Sequence, residues 1–177
     1  MSEEKKARSS RLSWDETFMS LALLVSQRTA CKFHTAGVVM VDKNKRIVSM
    51  GYNGPTEGDV HCVEVGCAKV DGDPVTKKLK RCRGAHAEIN ALMNSQDTKR
   101  LQGATVYTSL FPCYDCVKAL NNAGIKEIVY FEEYERIKTG GEQKEEENEA
   151  KELLEMRGIT IRQYKPKTFP EIGRLCC

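Results

Sequence analysis

From Val38 to Tyr164 the chain alternates short β-rich runs with helical segments, and this alternation restricts the fold more than any other feature. Before it, Ser13 is a good N-cap, with Glu16 at the reciprocal position of a capping box. Phe18, Leu21, Ala22 and Val25 then recur at helical spacing. Residues 38–41 and 47–50 are strand-like and flank the turn chemistry of Asp42-Lys43-Asn44-Lys45, which predicts a β-hairpin. Further along, helices are expected over 86–94, from Pro112 to Asn122, and over 142–157, where Ala150, Leu153, Leu154 and Met156 are the apolar positions. Strands are expected over 104–109, 126–131 and 159–164. The resulting order, α-β-β-α-β-α-β-α-β, implies an α/β layered fold with parallel crossovers and one antiparallel pair at the hairpin. Residues 51–85 break the pattern, with Gly51, Gly54, Pro55, Gly58, Gly66, Gly72 and Pro74. A structureless loop of that length is unusual inside a compact domain, so it is expected to be functional or held by something.

The 177 residues suit one domain, with its core over about 12–164, an insertion over 51–85 and an irregular tail over 165–177. A net charge of +3 is too mild for a nucleic-acid platform. Near the N-terminus the longest apolar stretch, Leu21-Ala22-Leu23-Leu24-Val25, is far short of a membrane span. The opening residues are charged and polar and do not read as a secretion signal, so a cytoplasmic protein is expected. In that setting eight cysteines point to metal binding or catalysis rather than disulfides.

Two segments carry the chemistry: His86-Ala87-Glu88 and Pro112-Cys113-Tyr114-Asp115-Cys116. Cys113 and Cys116 share one helix face, and Pro112 suits the first helical position. In a first helical turn the dipole favours thiolates. Two thiolates and a neutral imidazole from His86 neutralise Zn²⁺ and leave its fourth position open. A zinc ion held in this way makes water acidic enough to act as a nucleophile near neutral pH. Glu88 is then free to carry a proton from the water to a ring nitrogen and on to a leaving amine. A structural zinc site would want a fourth protein ligand, and a redox Cys-x-x-Cys would not require His-Ala-Glu. The combined spacing is the signature of zinc deaminases.

The chain resembles the deoxycytidylate (dCMP) deaminases, including the late-competence-operon and phage members, from about Leu12 to Tyr164. The carrying segments are Trp14-Asp15-Glu16-Thr17-Phe18-Met19, Gly51-Tyr52-Asn53-Gly54, His86-Ala87-Glu88-Ile89-Asn90-Ala91, Phe111-Pro112-Cys113-Tyr114-Asp115-Cys116 and Gly124-Ile125-Lys126. The resemblance implies a three-layer α-β-α cytidine-deaminase-like fold with a five-stranded mixed sheet. It implies conversion of dCMP to dUMP and ammonia on the route to thymidylate. It also implies a homo-oligomer, commonly a hexamer, activated by dCTP with magnesium and inhibited by dTTP. Asn53 and Tyr134 match nucleotide-contacting residues, the alternative for Tyr134 being a surface aromatic at a strand end. Where the family usually has Val-Gly-Ala, this chain has Ala36-Gly37-Val38, which is expected to put a larger Val beside the pocket.

Cys31, Cys62, Cys67 and Cys82 suggest a second, structural zinc that would tie the 51–85 loop to the first helix, the alternative being reduced free thiols. His61 is a possible substitute ligand. The basic run from Lys77 to Arg83 could offset the charge of such a site, bind a nucleotide phosphate, or be a solvated loop. Cys176 and Cys177 fit no prenylation box and are read as tail thiols without a role. Two other functions compete: a deaminase acting on dCTP or another base, and a non-catalytic zinc protein serving assembly or DNA uptake. Glu88 argues against the last, because a purely structural site has no use for an unliganded acid.

Overall fold

The computed structural model describes residues 11–73, 75–134 and 143–166, the side chains of 143–147 excepted. The first ten residues, the Thr139-Gly140-Gly141 loop, Pro170 and the Cys176-Cys177 pair lie outside the described residues. Helix α1 (Trp14–Ser26) begins as its sequence predicts. The Ser13 hydroxyl accepts the Glu16 N–H at 3.2 Å, and the Glu16 carboxylate accepts the Ser13 N–H at 2.7 Å. Its buried stripe is Phe18, Met19, Ala22 and Ser26 rather than the predicted Phe18, Leu21, Ala22 and Val25. The small residues decide the difference. A Cβ on Gly37 would strike the backbone of Ala22 and Ser26, so α1 lies close against the start of the first strand.

Strands β1 (Gly37–Val41) and β2 (Ile47–Tyr52) form the predicted hairpin. The insertion then contributes β3 (Gly54–Pro55), α2 (Cys62–Val65) and β4 (Gly84–Ala85). It is therefore not structureless. β3 and β4 pair antiparallel and bring its two ends together. The Asp71 carboxylate accepts the Cys67 N–H at 2.7 Å and pairs with Lys32 at 3.1 Å, pinning its middle to the segment after α1.

Helix α3 (Ala87–Met93), a 3₁₀ turn at Thr98–Leu101, β5 (Thr105–Leu110), α4 (Tyr114–Asn122), β6 (Glu127–Glu132), α5 (Gln143–Met156) and β7 (Thr160–Gln163) complete the order. The five long strands form one sheet in the order β2-β1-β5-β6-β7. β1 is antiparallel to both neighbours, whereas β5, β6 and β7 are parallel. The single antiparallel pair expected from sequence is thus two, because the connection from β2 passes over β1 to reach β5.

Alternate residues of the central strands face opposite layers, as a sheet buried on both sides requires. Val39, Val41, Tyr107 and Val129 pack under α1. Val38, Met40, Val106 and Ile128 pack in the larger core with residues of α3, α4 and α5. The result is a three-layer α-β-α fold with a five-stranded mixed sheet. In α5, Ala150 and Leu154 are buried and Leu153 packs beside them, but Met156 is 73% exposed, its position having rotated off the apolar face. A charged knot ties α1 to the far strands: Arg162 donates to Asp15 at 2.8 and 3.0 Å and to Glu127 at 2.8 Å, and the buried Tyr107 hydroxyl donates to Asp15 at 2.8 Å. Arg162, then the Tyr107 hydrogen bond, hold the Asp15 carboxyl below its ordinary range against the effect of burial. Among the described residues no helix is long and apolar enough to cross a membrane.

Candidate metal centre and cavity

Two helix starts build the site. His86 is the N-cap of α3 and Cys113 the N-cap of α4, both with extended backbones, and neither side chain caps its helix. N-caps are usually Ser, Thr, Asp or Asn, whose side chains satisfy the first free N–H groups. Here that local stabilisation is given up, and the side chains are aimed at each other. The predicted helix starts therefore move inward: Pro112 and Cys113 precede α4, and Cys116 is its third residue. Gly51 sets the depth of α3. A Cβ there would run into the backbone of Ala87 and Ala91, so only glycine lets the Glu88-bearing turn sit against β2.

His86 Nδ1 lies 3.3 Å from Cys113 Sγ and 3.4 Å from Cys116 Sγ. A tetrahedral zinc with Zn–S of about 2.3 Å and Zn–N of about 2.0 Å has S···N edges of about 3.5 Å, so the three donors fit the ion. Among the described residues they form the one group of three metal-capable side chains whose ligand atoms all lie within 4.8 Å of one another. The hydrogen bond from Cys116, helped by His86, holds the Cys113 thiol down to about 4 despite burial. The same bond, then burial and Glu88, push Cys116 upward. Glu88 is 5% exposed, and one carboxylate oxygen is 3.3 Å from Cys116 Sγ. Burial raises its pKa, partly opposed by its backbone hydrogen bond and by His86, and the shift suits a group that must both take and give a proton.

His86, Cys113 and Glu88 line a cavity whose other walls include His34, Ala36, Asn53, Phe111 and Tyr134. Tyr134 is one of the residues lining this cavity. Asn53 is turned toward the 29–36 segment: its carbonyl accepts the Ala36 N–H at 3.0 Å and the Thr29 hydroxyl, and its amide donates to the His34 carbonyl at 2.9 Å. The expected larger Val beside the pocket is overturned. Val38 is fully buried in the core with Ala87 and Ala91, and the smaller Ala36 lines the cavity. His34 was not legible as a site residue. It belongs to no motif, and only its place just before β1 hinted that it could reach a strand end.

The four other cysteines are not gathered in the same way. Cys31, Cys62 and Cys82 line the cavity, and Cys67 is buried in the insertion. No three of the four sulfurs come within 4.8 Å of one another. Two of them accept a backbone N–H two residues on: Cys31 from Phe33 at 3.5 Å and Cys82 from Gly84 at 3.3 Å. His61 faces Glu64 at 3.6 Å.

Comparison with known proteins agrees with this geometry. Residues 12–132 match the cytidine and deoxycytidylate deaminase zinc-binding region. The chain is 33% identical over 162 residues to deoxycytidylate deaminase of Homo sapiens, covering 92% of this chain and 85% of that protein. It is 33% identical over 156 residues to ComE operon protein 2 of Bacillus subtilis, covering 88% of this chain and 73% of that protein. Among solved structures, dCMP deaminase of cyanophage S-TIM5 in complex with dCMP and dUMP superposes with a TM-score of 0.64 at 26% identity, covering 88% of this chain and 99% of the other.

Proposed function

The chain belongs to the cytidine and deoxycytidylate deaminase zinc-binding family, and from that premise we propose that it hydrolyses dCMP to dUMP and ammonia. The observation that carries this is the buried Glu88 beside a three-donor metal centre, in a chain similar over most of its length to deoxycytidylate deaminases. The metal is zinc, as in the family at large, and His86, Cys113 and Cys116 are its proposed ligands. Zinc supplies the Lewis acidity that makes water nucleophilic at neutral pH. Glu88 would take one proton from the attacking water and hand it to N3 of the cytosine ring, then take the remaining proton from the new C4 hydroxyl and give it to the amino group, which leaves as ammonia. Its burial favours this role, because a carboxylate with a raised pKa takes a proton more readily. Phe111 and Tyr134 wall the cavity around the base, and Asn53 holds the segment that closes it.

Cys31, Cys62, Cys67 and Cys82 are proposed as ligands of a second, structural zinc. The two N–H···S contacts favour this reading, since they suit thiolates, although the sulfurs would have to draw together. A single domain with its core over about 12–164 and a cytoplasmic location are proposed from the sequence, and a hexamer, dCTP–magnesium activation and dTTP inhibition from the resemblance alone. The test is turnover of dCMP, dCTP and deoxycytidine by the purified zinc-loaded protein, followed by ammonia release and ultraviolet absorbance. Preference for dCMP is expected; no turnover of any of the three would remove the assignment.

A further inference from the structure

We propose that Thr29 is a positioning residue that fixes the Asn53 side-chain amide as a hydrogen-bond donor for the nucleotide. This rests on the dCMP reading and adds to it a residue that acts on the ligand without touching it.

Asn53 joins β2 to β3 and braces the segment before β1 through both its backbone and its side chain. Its N–H donates to the Ala36 carbonyl at 3.1 Å, and its carbonyl accepts the Ala30 N–H at 3.2 Å. The orientation of the side chain follows from two backbone groups of fixed polarity. Asn53 Oδ1 accepts the Ala36 N–H at 3.0 Å, and Nδ2 donates to the His34 carbonyl at 2.9 Å. A flipped amide would set donor against donor and acceptor against acceptor.

Thr29 completes the set. Its hydroxyl proton has three acceptors within reach: Asn53 Oδ1 at 2.5 Å and the His34 and Asn53 carbonyls, both at 3.1 Å. Oδ1 is the nearest, and the hydroxyl oxygen in turn accepts the Cys31 N–H at 3.2 Å. An amide oxygen has two lone pairs and an amide nitrogen two hydrogens. Ala36 and Thr29 occupy the oxygen, and His34 takes one hydrogen. What remains to Asn53 is a single N–H, which has no partner among the described residues. Asn53 lines the cavity, whereas Thr29 is not among its lining residues. The ligand group that suits Asn53 is therefore an acceptor oxygen of the nucleotide, and Thr29 reaches that group through Asn53. Without the hydroxyl, Oδ1 regains a lone pair and the amide that offers the N–H is held less firmly.

Calorimetric binding of dUMP to the zinc-loaded protein tests this in wild type, Thr29→Val, Thr29→Ser, Asn53→Ala and the variant carrying both Thr29→Val and Asn53→Ala. Thr29→Val is expected to weaken dUMP about three- to tenfold, the net effect of one hydrogen bond, and Thr29→Ser to stay within about twofold of wild type. In the Asn53→Ala background, Thr29→Val should add less than about twofold, because its route to the ligand is gone. In dCMP turnover, Thr29→Val should raise KM by the same factor and leave kcat within about twofold, as for a contact made equally in ground and transition states. A full Thr29→Val effect in the Asn53→Ala background, equal loss in Thr29→Ser, or a lowered melting temperature with dUMP affinity and KM unchanged would overturn the proposal. If Asn53→Ala does not fold, the comparison of Thr29→Val with Thr29→Ser decides it. Coupled binding of dUMP without dCMP turnover would defeat the reaction and keep the positioning role. Turnover of dCMP with additive effects at Thr29 and Asn53 would do the reverse, and a wild type that neither binds dUMP nor turns over dCMP would defeat both.

Discussion

Two groups of cysteines contribute to one cavity, through Cys113 on one side and Cys31, Cys62 and Cys82 on the other, and the fold treats them differently. Cys113 and Cys116 sit at a helix start whose position is set by a parallel sheet and a filled core, and they meet His86 at metal-ligand spacing. Cys31, Cys62, Cys67 and Cys82 come from the segment after α1 and from the insertion, where short elements and side-chain hydrogen bonds supply the order. Three of the four line the cavity, and their sulfurs do not converge as the other group's do. A site preformed by regular elements needs no ion to hold its shape. A site spread over an irregular segment gains its shape from the ion, so metal binding there is part of folding.

The same substitution on each side of the cavity should therefore have opposite signatures. Cys113→Ser is expected to remove the catalytic zinc and lower dCMP turnover by about a thousandfold or more, with the fold intact. Metal analysis and ammonia release would check it; turnover near wild type would mean that Cys113 is not a ligand. Cys62→Ser is expected to take the zinc content from two per chain to one, to lower the melting temperature by about 5 °C, and to leave turnover at low temperature within a few fold. A wild-type content near one zinc per chain would dissolve the comparison, leaving the four cysteines as free thiols.

A smaller effect is expected away from both sites. Asp15 is held below its ordinary 3.8 chiefly by Arg162, so its contribution to stability is present above that value and fades as pH falls through the lowered one. Asp15→Asn should cost about 1–3 kcal/mol near neutrality, with both curves converging in strong acid. Denaturant midpoints across pH measure it; a gap that stayed constant into strong acid would show that the charge is not what matters.

The contrast also explains what the sequence disclosed. His86, Glu88, Cys113 and Cys116 were legible because each lies within a few residues of a helix start, and helix geometry is local. The layer order and the hairpin were legible from alternation for the same reason. The second antiparallel pairing of β1 was not, since it depends on a connection that skips a strand. Nor were the buried Ser26 of α1 and the place of Ala36 at the cavity, both of which follow from how closely the Gly37 backbone approaches α1. His34 required Asn53, far along the chain, to fix its backbone. Asn53 was noticed as a nucleotide contact, and the structure adds that its side chain first braces the wall of the cavity.

The central claim, that an inward-facing carboxyl works beside an independently held zinc, is tested most directly by Glu88→Gln. One preparation should be assayed for zinc content and for dCMP turnover. Zinc equal to wild type with turnover reduced by about a hundred- to ten-thousandfold is the predicted result. Wild-type turnover with zinc retained would contradict it.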